Sequence, residues 1–193
     1  MKMKIITIAS APLLAALALA CGADADSSLP ACDQDLCTVD DPDGDGARTT
    51  VIHAPDKDAP VYFRFAAPDA PPSAEEIAAG AWDLSFARTT IRANGGASGD
   101  GGVEVAWIGG AALTDPAPSE GWVSDGADED AFAFSQDDGW YRYDLAKHVV
   151  EPRPRVYYVR ATDGRTYALT MLSYYSHAGD SRYPTFAWLD VAE

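Results

Sequence analysis

The sequence predicts an all-β domain, mostly antiparallel, with at most one or two short helices, held behind an exported N-terminal segment. Three observations predict it. Short runs in which apolar and aromatic residues alternate with polar ones recur through the second part of the chain. Asn-Gly, Asp-Gly and Pro-rich breaks separate those runs. Long helical periods are missing, and so is the strand-helix-strand alternation of a parallel sheet.

The chain starts with Lys2 and Lys4, then an apolar run over residues 5–20, then small residues leading into Cys21. Charge, apolar core and small-residue exit make a signal-peptide pattern, and the run is shorter than the roughly 20 apolar residues that span a bilayer. Residues 1–20 therefore read as a lipoprotein signal peptide. A buried core helix is the alternative reading, but such a helix would not end in small residues abutting a cysteine. Ala18-Leu19-Ala20-Cys21 is similar to a lipobox, whose cysteine is acylated and becomes the mature N-terminus. Ala18 stands where Leu is usual, while Ala20 meets the small-residue requirement. Gly22 follows rather than the Asp of inner-membrane retention, which favours the outer membrane or the cell surface. Cys21 is thus the expected lipidation site, and the lipid anchor the only expected membrane contact.

With Cys21 lipidated, Cys32 and Cys37 remain of the three cysteines. In an oxidising compartment the expected fate of that pair is a disulfide. A closed zinc site would need further thiols or imidazoles nearby.

Residues 21–48 are rich in Asp, Ser, Gly and Pro and poor in large apolar side chains, which reads as a flexible, acidic, disordered tether. Within it Asp41, Asp43, Asp45 and Gly46 match the opening of a D-x-D-x-D-G calcium loop. The twelfth position holds Ile52 instead of Glu, and no flanking helices are apparent, so a solvated acidic linker is favoured over a calcium site.

The whole chain carries 30 acidic and 14 basic residues, a formal net charge of -16. Nucleic acid is excluded as a partner, because binding it requires clustered Lys and Arg to displace counterions. An anionic membrane surface is disfavoured for the same reason.

Residues 49–193 form the expected β domain. The run Val61-Tyr62-Phe63-Arg64-Phe65 is strand-like. A helix is expected over residues 73–79, where Ser73 and Glu76 form a capping box. Residues 81–92 alternate, with Trp82, Leu84 and Phe86 on one side, until Asn94-Gly95-Gly96 imposes a tight turn. Residues 103–108 give another strand, and 111–138 a looser acidic stretch anchored by Trp122 and Phe132. Trp140-Tyr141-Arg142-Tyr143 leads to a polar bend near Lys147-His148. Residues 156–160 and 166–175 make a hairpin about Asp163-Gly164, and 185–191 close the chain. Trp82-Asp83 and the Asn-Gly-Gly turn read as structural, the Asp satisfying backbone donors at a strand end.

Several of these stretches together resemble the HmuY family of bacterial haem-binding lipoproteins. They are Trp82-Asp83-Leu84-Ser85-Phe86 running into Thr89-Thr90-Ile91-Arg92-Ala93-Asn94-Gly95-Gly96, then Tyr157-Tyr158-Val159-Arg160-Ala161-Thr162-Asp163-Gly164. Tyr167-Ala168-Leu169, Leu172-Ser173-Tyr174-Tyr175 and Thr185-Phe186-Ala187-Trp188 follow in order. The resemblance covers nearly the whole domain, from about residue 61 to the end. It implies a mostly antiparallel, HmuY-like β fold and capture of haem or another porphyrin for iron acquisition, with delivery to an outer-membrane haem receptor. It further implies two axial side chains on the iron, commonly His.

The family's ligands do not transfer cleanly, since residues 95–146 contain neither His nor Met. His148, in the bend after an aromatic strand, is the leading ligand candidate, with a surface loop histidine as its alternative. His177, in a polar turn, and Met171, within an alternating strand, follow; His53 is weaker. Tyr141, Tyr143, Tyr157, Tyr158, Tyr174 and Tyr175 are candidates to stack on a flat ligand, and Arg142, Arg153 and Arg155 to meet its carboxylates. The competing function is a surface binding or adhesion module without haem, assisted by calcium. Neither a G-x-S-x-G elbow nor an H-E-x-x-H pair is present, so no enzyme is expected.

Overall fold

A computed structural model describes residues 24–41, 44, 46–128 and 131–191. The signal over residues 1–20, the lipidation site Cys21 and the calcium candidates Asp43 and Asp45 lie outside the described residues.

Every strand pair is antiparallel. The strands are β1 (Leu36–Asp40), β2 (Arg48–Ile52), β3 (Val61–Phe63), β4 (Leu84–Ala87), β5 (Thr90–Ala93) and β6 (Glu104–Gly109), followed by β7 (Tyr141–Asp144), β8 (Val149–Pro152), β9 (Arg155–Arg160), β10 (Thr166–Tyr175) and β11 (Ser181–Asp190). They build a six-stranded sheet in the order β1-β2-β11-β10-β9-β6, a three-stranded sheet β3-β4-β5, and the hairpin β7-β8. The single helix among the described residues, α1 (Ala74–Ala78), begins at Ser73 with both halves of the capping box made.

The two larger sheets close on one aromatic core. Phe186 of β11 stacks on Phe86 of β4 at 5.4 Å and meets Phe63 of β3 edge-on at 5.3 Å. Period-two alternation puts Tyr157 and Val159 of β9 into this core, and Val156 and Tyr158 on the opposite face. That second face is covered by Ala111, Leu113, Ala117 and Trp122 from the segment after β6. Residues 111–122 are therefore packed onto the sheet.

Two sequence expectations are corrected. The flexible tether assigned to residues 21–48 contains β1 and the first residue of β2. Leu36 is buried, and the sheet begins there. A five-residue edge strand that buries only one large side chain leaves little apolar signal in an acidic surrounding. Cys37 lies in β1 and is disulfide-bonded to Cys32, with the two Cα atoms 5.8 Å apart. The alternating run 81–92 also folds back on itself at Arg88-Thr89, giving β4 and β5. Arg88 takes a left-handed φ of 57°, which few residues adopt unaided. Its backbone N–H donates to Ala54 O and its Nε to Pro55 O, and these bonds hold the turn.

The Asn-Gly-Gly segment is more than a turn. Asn94 is fully buried, donates through Nδ2 to Gly80 O and Trp82 O, and accepts from Gly101 N–H. A Cβ at Gly99 would collide with Asn94 Oδ1, so the glycine loop wraps directly on the amide. Asp83 is equally buried and accepts from Phe65 N–H, Thr162 N–H and Thr162 Oγ1–H, at 2.8, 2.8 and 2.7 Å. It staples β4 to the β9-β10 hairpin of the other sheet. This matches its expected structural role.

Candidate ligand-binding cleft

A cleft of about 570 Å³ opens between the β4-β5 turn, residues 132–140 and strand β7. That volume falls within the range of small-molecule pockets, roughly 300–1,000 Å³. Its position follows from Trp140, which is buried while its indole N–H donates to Thr89 O at 2.8 Å. This bond ties the turn of one sheet to the start of the β7-β8 hairpin. Phe134 is stacked on the core residue Tyr157 at 4.4 Å, and Phe132 carries the Arg92 guanidinium 4.5 Å over its ring. Tyr141 meets Trp140 edge-on at 5.0 Å. The floor beneath the cleft is therefore aromatic and rigid, its buried rings held by another ring, by the Arg92 guanidinium or by the Trp140 hydrogen bond.

The rim is polar. Arg142 reaches Glu151 at 2.7 Å, and Arg153 donates from Nε to Asp138 O and Tyr141 O, both at 3.1 Å. Tyr143 is 49% exposed, and its hydroxyl lies 3.3 Å from His148 Nδ1. The bend carrying His148 is built by Asp144, whose carboxylate accepts from Ala146 and Lys147 N–H groups. Those bonds hold the Asp144 carboxyl below its ordinary range. Phe132, Phe134 and Trp140 are buried beneath the cleft, so Tyr141 and Tyr143 carry its exposed ring surface, with the Arg142 and Arg153 guanidinium groups at the rim and Asp138 as an opposing charge.

The sequence candidates separate in space. Tyr141, Tyr143, Arg142 and Arg153 line the cleft together, and His148 touches it through Tyr143. His177 is exposed in the β10-β11 turn, where its carbonyl accepts from Asp26 N–H. Met171 is buried in the core opposite Phe186. His53 stacks on Tyr183 at 4.4 Å, with Nδ1 3.4 Å from Asp35. Tyr157 is buried, and its hydroxyl, which finds no hydrogen-bond partner among the described residues, is pushed up to about 12 by desolvation. Tyr158 faces the second core and donates to Asp115 O. Tyr174 and Tyr175 pack in the main core, where Tyr175 Oη accepts from Val150 N–H and docks β8 on β10. Arg155 turns to Asp137 O.

Of the three calcium candidates only Asp41 lies among the described residues. Asp41 N–H donates to Ala47 O, and Ile52, at the twelfth loop position, is fully buried in β2. Among the described residues no group of three or more His, Cys, Asp or Glu is placed to hold a metal. No described helix is long and apolar enough to cross a membrane.

Sequence reading missed Phe134 as a cleft residue and Asp125 as a structural one. Asp125 is buried and accepts from Ala93 N–H at 2.9 Å and Ala133 N–H at 2.7 Å, which anchors residues 132–134 to β5. Desolvation raises its carboxyl above the ordinary range, against the pull of these bonds and the Arg92 charge. Its only sequence signal is an Asp amid other acids, so nothing marked it.

The molecule is thus an antiparallel β domain carrying a tyrosine- and arginine-rimmed cleft. Solved structures share that fold. A Bacteroides fragilis protein assigned as a lipoprotein aligns with a TM-score of 0.57 at 19% identity, over 81% of this chain and 96% of its own. An HmuY-like haem-binding protein, so assigned, from Bacteroides vulgatus aligns at 0.54 and 16% identity, over 81% and 98%. The apo HmuY analogue of Tannerella forsythia aligns at 0.56 and 11% identity, over 81% and 97%. No protein-family model matches the chain, and no curated protein matches it. At these identities the likeness establishes the fold.

Proposed function

We propose that this chain is an exported lipoprotein, anchored through Cys21 at the outer membrane or cell surface, whose β domain captures haem or a related porphyrin. The observation that carries this reading is the cleft between the β4-β5 turn and β7, with Tyr141 and Tyr143 on its surface and its Arg142 and Arg153 rim. A porphyrin is a flat disc with carboxylates on one edge; Tyr141 and Tyr143 offer ring surface for the disc, and Arg142 and Arg153 offer cations for that edge. The fold shared with a protein assigned as HmuY-like and haem-binding supports the choice of ligand. The role is binding rather than catalysis, with iron acquisition as the purpose and an outer-membrane haem receptor as the recipient.

The donor set of the cleft fits the porphyrin body better than a pair of imidazoles. Its described lining contains no His and no Met, and offers oxygen donors from Tyr141, Tyr143 and Asp138. Addition of hemin to the detergent-solubilised full chain is expected to give a saturable, shifted Soret band. Arg142→Ala combined with Arg153→Ala is expected to weaken binding by roughly tenfold, as loss of two carboxylate contacts predicts. An unshifted hemin spectrum at micromolar concentrations would refute the reading.

A further inference from the structure

Resting on the lipid anchor at Cys21 and not on the porphyrin reading, we propose that the β10-β11 end of the domain docks on the membrane leaflet that holds the anchor. The contact is made by a groove of about 460 Å³ between β8 and β10, and by Leu145 in the β7-β8 bend. Val149, Pro152 and Leu172 give the groove its apolar lining, and Asp24 lies at it as well.

The path of the chain carries this inference. Asp26, two residues beyond Asp24, donates its backbone N–H to His177 O in the β10-β11 turn at 3.0 Å. The Asp26 carboxylate accepts from the Ser28 N–H and hydroxyl, and Asp26 O accepts from Leu29 N–H. Just before β1, Asp35 O accepts from His53 N–H at 2.8 Å, and the Cys32–Cys37 disulfide closes the same stretch. The chain is thus fastened to the domain from its first described residues. Only three peptide links separate Cys21 from Asp24, a reach of at most about 11 Å. The lipid therefore enters the bilayer within about 11 Å of the groove, and not at the end of a long tether.

The surface at that end is suited to an apolar phase. The large apolar side chains exposed among the described residues are Val39, Ile108, Tyr143, Leu145 and Leu172. Tyr143 and Leu145 belong to the β7-β8 hairpin, and Leu172 lies across the groove from it. Leu145 is 78% exposed and Leu172 42%. Single exposed leucines are ordinary, but a group of them beside a lipid attachment point has the bilayer interface within reach. The charges around the groove argue for a zwitterionic leaflet. Its cation, Lys147, lies between Asp144 at 3.5 Å and Glu151 at 3.6 Å, and Asp24 adds another negative charge. Nothing there attracts anionic headgroups, so burial of apolar surface drives the contact. Docking at this end turns the Asp163-Gly164 hairpin, at the opposite end of the ten-residue strand β10, away from the membrane.

The test places one thiol-reactive fluorophore at a time on the lipidated full chain. Cys21 carries lipid and Cys32 is bonded to Cys37, so an introduced cysteine is the free thiol. The positions are Leu172→Cys, Lys147→Cys and, as the distal control, Arg165→Cys, which lies about 23 Å from Leu172 along the strand. The chains are reconstituted in phosphatidylcholine vesicles with nitroxide-labelled phosphatidylcholine as quencher. Labels at 172 and 147 should lose roughly half their emission or more, and the label at 165 less than about a tenth. Salt of about 1 M should leave this pattern unchanged, since screening does not weaken apolar contact. Adding Leu145→Asp and Leu172→Asp should bring the label at 147 close to the level of the label at 165. Both leucines are exposed, so the fold survives their replacement. Equal quenching at all positions, or quenching at 147 that ignores the two Asp substitutions, would overturn docking while the anchor stands. A label at 172 that is blue-shifted but unquenched would put the Cys21 acyl chain or a second copy in the groove, and would overturn the leaflet as its occupant. Failure of the wild-type chain to float with the vesicles would remove the anchor and the docking together.

Discussion

Two polar regions of this domain are built on opposite terms. Around Asp83 and Asn94 the side-chain bonds are short and made by fully buried side chains, and all but the one from the Thr162 hydroxyl run to the backbone. Along the β7-β8 hairpin the polar side chains are half exposed and bonded mostly to one another or to carbonyls on the rim. A buried polar group without its partner incurs the full desolvation penalty, whereas an exposed one falls back on water. The first region can therefore hold a fold together, and the second can exchange partners with a ligand.

Substitutions should separate the two. The largest loss is expected from Asp83→Ala, which strands the buried Phe65 N–H and takes the partner of the Thr162 N–H and hydroxyl; about 3 kcal/mol of unfolding free energy should disappear in urea titrations. Asn94→Ala should cost about 2 kcal/mol by the same assay, since the Gly80 and Trp82 carbonyls and the Gly101 N–H lose their partner. Trp140→Phe keeps most of the ring but deletes the bond to Thr89 O. Its stability cost should be about 1 kcal/mol, and porphyrin affinity should fall as the floor loosens. Arg142→Ala should change stability by less than about 1 kcal/mol, because its pair with Glu151 is largely exposed, yet it should measurably weaken ligand binding.

Asp125 sharpens the comparison through pH. Burial holds its carboxyl above the unfolded value, so the folded state takes up a proton more readily than the unfolded chain does. The stability this contributes is fully present below the ordinary carboxylate range and is lost as pH rises through the elevated folded value. Asp125→Asn lacks that titration. The margin of wild type over Asp125→Asn, from denaturation at a series of pH values, should therefore be greatest in acid and shrink on going towards neutrality. A margin that widens with pH would mean that the backbone bonds, not desolvation, govern this carboxylate.

Much of the fold was legible because its signals are local. The Asp163-Gly164 turn, the β10 run and the Ser73/Glu76 capping box each lie within a few residues of sequence, and the structure contains all three. Two features were hidden by non-local causes. The Arg88 turn is held by Ala54 and Pro55, more than thirty residues earlier, so neither Gly nor Asn was needed to announce it. Strand β1 is stabilised by pairing with β2 and by one buried leucine, which a composition-based reading of an acidic segment overlooks. The cleft was half legible. Tyr141, Arg142 and Tyr143 were candidates by type, but Phe134 joined them only through Asp125, and the contact of His148 with Tyr143 emerges from the bend between β7 and β8.

The most direct measurement is an equilibrium titration of the full chain with metal-free protoporphyrin IX, followed by ligand fluorescence, for wild type and for Tyr141→Ala/Arg142→Ala. Saturable wild-type binding at a single site, weakened by roughly tenfold or more in the double variant without a matching loss of stability, is the expected result. Equal binding by both proteins, or none by either, would contradict a porphyrin slot beside β7.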